Sequence, residues 1–246
     1  MSDAGRAAEA MTPTLARKAT AEAAGTGLLV AAVVGSGIAA QRLSPGDTGL
    51  QLLENSTATA GALVALILAF GAVSGAHFNP VVSLADRVLG GLTSRELVVY
   101  VTAQVAGGVA GAIVANLMFD LDAVTLATRE RATSGLWLGE VIATFGLLIV
   151  ILGVVRSDRP SAAPFAVAGY IGAAYWFTSS TSFANPAVTV GRTLSDTFAG
   201  IEPASAPGFI AAQLVGGGAA IALARFLFAD RAALELIVPH DHHEAA

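Results

Sequence analysis

Two long stretches without formal charge, Asn55 to Ala85 and Pro160 to Gly191, are each broken by an Asn-Pro pair, Asn79-Pro80 and Asn185-Pro186. A transmembrane helix needs about 20 apolar residues, so each stretch is too long for one crossing. Asparagine is a strong N-cap and proline is favoured at the first helical position. Each pair therefore marks a helix that starts inside an apolar run. A full span followed by a re-entrant half-helix accounts for both stretches. Four further runs read as ordinary spans: Ala23 to Ala40, Leu97 to Phe119, Trp137 to Val155 with Glu140 inside it, and Ala206 to Ala224. With 54% hydrophobic and 13% charged residues, against about 25% charged in soluble domains, the chain reads as an all-α membrane protein.

The order span, overlong span with Asn-Pro, span occurs twice. An odd number of crossings in each half sets the halves in opposite orientations, which makes an inverted repeat. Ala103-Gln104-Val105-Ala106-Gly107-Gly108 echoes Ala212-Gln213-Leu214-Val215-Gly216-Gly217, and Glu22 opens the first half as Glu140 opens the second. The expected organisation is a cytoplasmic N-terminal tail over 1–21, a channel-like domain over 22–228 with halves near 22–119 and 136–228, and a C-terminal tail over 229–246. An N-in topology leaves nine Lys and Arg inside (Arg6, Arg17, Lys18, Arg87, Arg95, Arg156, Arg159, Arg225, Arg231) and four outside (Arg42, Arg129, Arg131, Arg192). The excess of inside charge selects it, with both termini cytoplasmic in a multi-pass protein of the cell membrane.

Non-helical backbone at mid-membrane depth is tolerated only where it is buried or lines a watery cavity. The two half-helices are thus expected to meet around a polar pore, each turning the positive end of its dipole to the centre. Asn79 and Asn185 supply amide donors to a passing oxygen, and positive dipole ends repel cations and protons.

With Ser74-Gly75-Ala76-His77-Phe78-Asn79-Pro80-Val81 and Ser182-Phe183-Ala184-Asn185-Pro186-Ala187, the chain resembles the aquaporin and glycerol-facilitator family from Glu22 to about Phe228. The resemblance implies six tilted transmembrane helices plus two re-entrant half-helices, one pore per subunit, a homotetramer, and passive diffusion with no cofactor. The pore motif is then Asn79, Pro80, Val81, Asn185, Pro186 and Ala187, with Val81 where the family has alanine, close to the central pore wall. Glu22 and Glu140 are implied to hold the re-entrant loops through backbone N–H groups; a snorkelling end-of-helix glutamate is the plainer reading of Glu22. Gln104 and Gln213 divide between interhelical hydrogen bonding and loop support. His77 stands at the cytoplasmic pore mouth or is a satisfied structural histidine.

The family's outer constriction maps, by counting from the asparagines, onto Thr59, Ala173, Ser182 and Val188. The usual arginine is replaced by Val188, and no large aromatic or histidine falls on these positions, which implies a wider, uncharged filter. Arg192 lies one turn beyond Val188 on the same face and is expected as an exposed interfacial residue before a vestibule cation. The arginine-lacking bacterial members that the chain resembles are associated with arsenic resistance, which places it in an inner membrane. Small neutral solutes such as arsenous acid, glycerol-like polyols and water are the implied cargo.

Zero cysteines exclude disulfides and thiolate chemistry. A net charge of −5 without a basic cluster argues against nucleic acid. No metal site is expected, because the His240, His242 and His243 cluster sits in a terminal tail. An enzyme has no support, with no histidine paired to a carboxylate inside the membrane. An orthodox water channel is one alternative. An ion-coupled transporter with inverted repeats is another, with Glu22 or Glu140 as its coupling group.

Overall fold

The structure, a computed structural model, describes residues 13–157 and 159–228. Among them, every regular element is helical. Helix α1 is Leu15–Leu43, capped by the Thr14 hydroxyl. Helix α2, Thr48–Ser74, starts at an Asp47 cap and stops at Gly75, whose φ of 83° is left-handed and cheap only for glycine. The half-helix α3 is Pro80–Leu89 with Asn79 as its N-cap. A Thr93–Glu96 capping box opens α4, Ser94–Met118. Thr133 caps α5, Ser134–Arg156. After a 3₁₀ turn over Pro160–Ala162 comes α6, Ala163–Phe177. The half-helix α7 is Pro186–Arg192 with an Asn185 cap, and α8 is Ala206–Leu227.

Among the described residues, five helices are long and apolar enough to cross a bilayer: α1, α2, α4, α5 and α8 with its leading 3₁₀ turn Pro203–Ser205. The sixth crossing, α6, has 15 residues. At about 1.5 Å per residue it reaches short of the roughly 30 Å apolar core, and the 3₁₀ turn continues its line. One boundary differs from expectation. Helix α1 begins at Leu15, so Glu22 lies inside the helix and is fully buried rather than at the end of a tail. The histidine cluster at 240–243 and the C-terminal tail lie outside the described residues.

Packing repeats between the halves. Helix α1 lies on α4 and α2, and α5 lies on α8 and α6, while α2 meets α6 across the halves. Glycines permit the closest crossings. A Cβ at Gly107 would strike the Ala23 carbonyl, one at Gly111 the Gly27 carbonyl, and one at Gly216 the Val141 carbonyl. Helix backbones thus touch directly, as small residues allow in membranes. Gly218 has open space around its Cβ position and takes no part. The half-helices complete the interior: α7 packs on α4, and α3 on both α4 and α8.

Candidate functional site

The site is built from two loops, over 75–79 and 178–185, whose last five residues share the same backbone pattern. Positive φ recurs at Gly75 (83°), Ala76 (50°) and Phe78 (49°) before Asn79, and at Thr181 (63°), Ser182 (52°) and Ala184 (50°) before Asn185. The positions correspond one by one, counted back from each asparagine. A non-glycine residue in this region costs roughly 1–3 kcal/mol, so something must hold the loops. Buried glutamates do. The Glu22 carboxylate accepts from His77 N (3.0 Å), Phe78 N (2.7 Å), Ser74 Oγ (2.6 Å) and Gln104 Nε2 (2.8 Å). Glu140 accepts from Phe183 N and Ala184 N, both at 2.8 Å, and from Gln213 Nε2 at 2.6 Å. Each glutamine also donates one turn into the half-helix, Gln104 to Ser83 Oγ (2.9 Å) and Gln213 to Thr189 Oγ1 (2.9 Å). Each glutamate, bonded to a glutamine, thus accepts from loop N–H groups of its own half, and Glu22 is fully buried rather than snorkelling at a helix end.

Asn79 and Asn185 bind each other's loops. Asn79 Nδ2 donates to Ala184 O at 2.8 Å, and Asn185 Nδ2 donates to Phe78 O at 2.7 Å. Their Oδ1 atoms cap the half-helices, accepting from Val81 N (2.9 Å) on one side and from Ala187 N (2.9 Å) and Val188 N (3.3 Å) on the other. An amide NH₂ has two hydrogens. One braces the opposite half, and the second has no hydrogen-bond acceptor among the described residues.

Both asparagines line one cavity of about 60 Å³. Its apolar walls include Leu29, Val33, Leu63, Leu147, Ile151 and Val167; its polar stripe runs along Ala76 to Asn79 and Ser182 to Asn185. Pro80, Val81, Pro186 and Ala187 do not line it. Val81 is buried against α8 instead, where a Cβ on Gly217 would overlap its side chain, and the Ala187 carbonyl faces Gly108 on α4 in the matching way. The valine in the first motif is thus accommodated by a glycine on the packed helix, away from the pore wall. Gly217→Ala should lower stability by about 1–3 kcal/mol through overpacking, and Val81→Ala added to it should restore most of the loss. The check is thermal unfolding of the two single variants and the double variant in detergent; additive losses would sink the assigned contact.

Of the four expected filter residues, Thr59, Ser182 and Val188 line the cavity and Ala173 does not. Ala173 is exposed on α6, while Ile171 and Tyr175 are turned in. Two residues along a helix amount to about 200°, so counting to Ala173 lands on the opposite face. Tyr175 hydroxyl and Thr59 Oγ1 are 3.1 Å apart, and Phe183 lines the same end. The cavity around Thr59, Ser182 and Val188 is therefore neither free of aromatics nor uncharged, because Arg192 lines it too. Its residue is 2% exposed, Nε donates to the Ala199 carbonyl, and Cζ lies 3.4 Å from the Phe183 ring centre. The reading of Arg192 as an exposed interfacial residue is overturned. A second arginine joins it, which sequence reasoning placed only as an outside charge. Arg131, from the loop between α4 and α5, lies 5.0 Å over the same ring and donates to Gly200 O (3.1 Å) and Ser180 O (3.2 Å). Burial first, and then the charge of Arg192, push the Arg131 pKa below the ordinary arginine value.

At the other end His77 both lines the cavity and is bonded, with Nδ1 3.0 Å from Ser83 Oγ and Nε2 3.7 Å from Asp86 Oδ2. This is a buried histidine–carboxylate pair that the sequence reading did not foresee, because Asp86 approaches only once α3 has formed. Among the described residues no cluster of metal-binding side chains occurs.

The model of the family described as major intrinsic protein matches residues 9–182. The chain is 51% identical over 213 residues to the aquaglyceroporin AqpS of Rhizobium meliloti (strain 1021), covering 87% of this chain and 91% of that protein. It is 33% identical over 217 residues to a probable aquaporin AqpM of Archaeoglobus fulgidus, covering 78% and 88%. Among solved structures it is similar to the aquaglyceroporin from Plasmodium falciparum, with a TM-score of 0.64, 21% identity, and coverage of 85% and 95%. That last likeness bears on the fold alone.

Proposed function

The chain belongs to the major intrinsic protein family, and from that premise we propose that it is a passive transmembrane channel for small neutral solutes, glycerol-like polyols and arsenous acid among them. The observation that carries this reading is the reciprocal bonding of Asn79 and Asn185 across one cavity. It leaves a donor from each half facing a single file, with the loop carbonyls beside it to accept a hydroxyl hydrogen. The name of the Rhizobium relative, an aquaglyceroporin, agrees with it.

An orthodox water channel is less well supported, because Val188 offers neither the charge nor the bulk that would restrict the file to water. An ion-coupled transporter needs a titratable group that moves between states. Glu22 and Glu140 are fully buried, bonded to loop N–H groups, and absent from the cavity wall. We place the N-terminus in the cytoplasm from the Lys and Arg distribution, so α7 runs outward and Arg192 marks the outer end. The helices of one chain close the cavity, which suits a homotetramer in a bacterial inner membrane with one pore per subunit.

Stopped-flow swelling of proteoliposomes in glycerol, arsenite and water gradients tests the reading. Flux of glycerol no faster than through protein-free vesicles would sink it. Val188→Arg should cut glycerol and arsenite permeability at least tenfold more than water permeability, since a long cation there narrows the file and adds donors. An unaltered ratio would move the constriction away from Val188.

A further inference from the structure

Neither Arg192 nor Arg131 comes within 4.0 Å of a carboxylate among the described residues. Both are nearly inaccessible, at 2% and 4% exposure. A buried charge without a counter-charge is costly, and an ionisable group inside the membrane is functional by default. Backbone carbonyls compensate in part: Ala199 takes Nε of Arg192, and Gly200 and Ser180 take Nε and Nη1 of Arg131. These bonds and the Phe183 ring fix the Arg192 guanidinium, and no protein acceptor among the described residues is hydrogen-bonded to its two terminal nitrogens, while the side chain lines the cavity.

A second, independent observation points to a ligand. Ser182 precedes Phe183, lines the same cavity and is 3% exposed, yet its Oγ has no hydrogen-bond partner. Its backbone is held at φ 52°, so the loop keeps this hydroxyl where it is. A buried hydroxyl left without a partner is destabilising, and a bound oxygen would relieve that.

We propose that this end of the cavity is a binding site for small singly charged oxyanions, held by the terminal nitrogens of Arg192 and the hydroxyl of Ser182, with Arg131 as a second positive charge behind them. A guanidinium fork matches two oxygens of one group, which favours a carboxylate-like or oxyacid anion over a halide. Charge and shape are then selected by different residues: Val188 leaves the file wide, and Arg192, one turn further out, decides what charge may wait at its mouth. The site rests on the channel reading above and adds a ligand class to it.

Formate is a suitable probe, being a small monoanion at pH 7. Glycerol permeability is measured on proteoliposomes at fixed ionic strength while potassium gluconate is replaced by potassium formate, each variant being referred to its own flux without formate. The parent should slow at least threefold in a saturable manner, and chloride should have a much weaker effect. Arg192→Gln should abolish the formate effect. Arg192→Lys, which keeps the charge and loses the fork, and Ser182→Ala should each raise the half-saturating concentration about tenfold. A parent indifferent to formate, slowing by chloride to the same degree, or unchanged half-saturation in Ser182→Ala overturns the site, and the parent and Ser182→Ala decide it even if Arg192→Gln does not fold. The two readings fail separately. No glycerol flux in the parent strikes the channel, whereas glycerol flux that ignores formate strikes the anion site.

Discussion

Asn185→Asp should cut solute flux at least tenfold while the half-helix stays formed. The carboxylate keeps an oxygen where Oδ1 caps α7, so Ala187 N and Val188 N retain their acceptor. The other oxygen replaces the Nδ2 donor and faces the Phe78 carbonyl, 2.7 Å from the nitrogen it displaces. Two acceptors in contact repel, the brace between the halves is lost, and a negative charge stands in the file. A solute oxygen meets no donor there. Losing one buried bond and gaining an unpaired acceptor costs about 1–3 kcal/mol, which the fold survives. Flux should fall at least tenfold in Asn79→Asp or Asn185→Asp and to the protein-free level in the double variant. Swelling rates normalised to monodisperse protein give the answer, and parent-like flux in the double variant would remove the asparagines from the pore.

Glu140→Ala is expected to leave no folded protein at all. The side chain accepts from two backbone N–H groups and from the Gln213 amide at 2.6–2.8 Å in complete burial. Each donor left unpaired costs about 1–3 kcal/mol, and the loop they hold carries three left-handed non-glycine residues. The total is comparable with the stability of a whole domain, about 5–15 kcal/mol. Glu140→Gln retains one acceptor oxygen and should give an intermediate yield. Size-exclusion profiles of parent and variants expressed side by side are the measurement. A parent-like peak for the alanine variant would show that the loop stands without its glutamate.

The difference between these two outcomes reflects what a sequence can display. The half-helices were legible because Asn-Pro is a local capping signal, and the inverted repeat because periodic spans and the paired Ala-Gln-x-x-Gly-Gly segments survive as linear text. Glu140 stood out because a charge inside an apolar run is conspicuous, and Glu22 only through its matching place at the start of the other half. The filter was only partly legible. Val188 and Ser182 lie within three residues of Asn185, a distance over which backbone geometry is nearly fixed, and both line the cavity. Ala173 was reached by counting through a helix end and a loop, where a slip of two residues turns the face away. Arg192 and Arg131 show the same limit from the other side. Nothing local marks either as buried, since each depends on a loop folding back to bring Ala199, Gly200 and Phe183 to it.

The reciprocal asparagine bonds also set an order of events during synthesis. Asn79 must wait for an acceptor about 105 residues later in the chain. At a translation rate of roughly 5–20 residues per second, the first half spends about 5–20 s in the bilayer with its Asn79 amide and Phe78 carbonyl unmatched. Glu22 needs no such delay for the His77 and Phe78 N–H groups, because its partners precede the end of α4. The loop can be shaped early by its own half. Only the second ribosomal instalment locks it, so premature termination yields a first half whose loop is formed but whose centre is still open to any passing donor or acceptor.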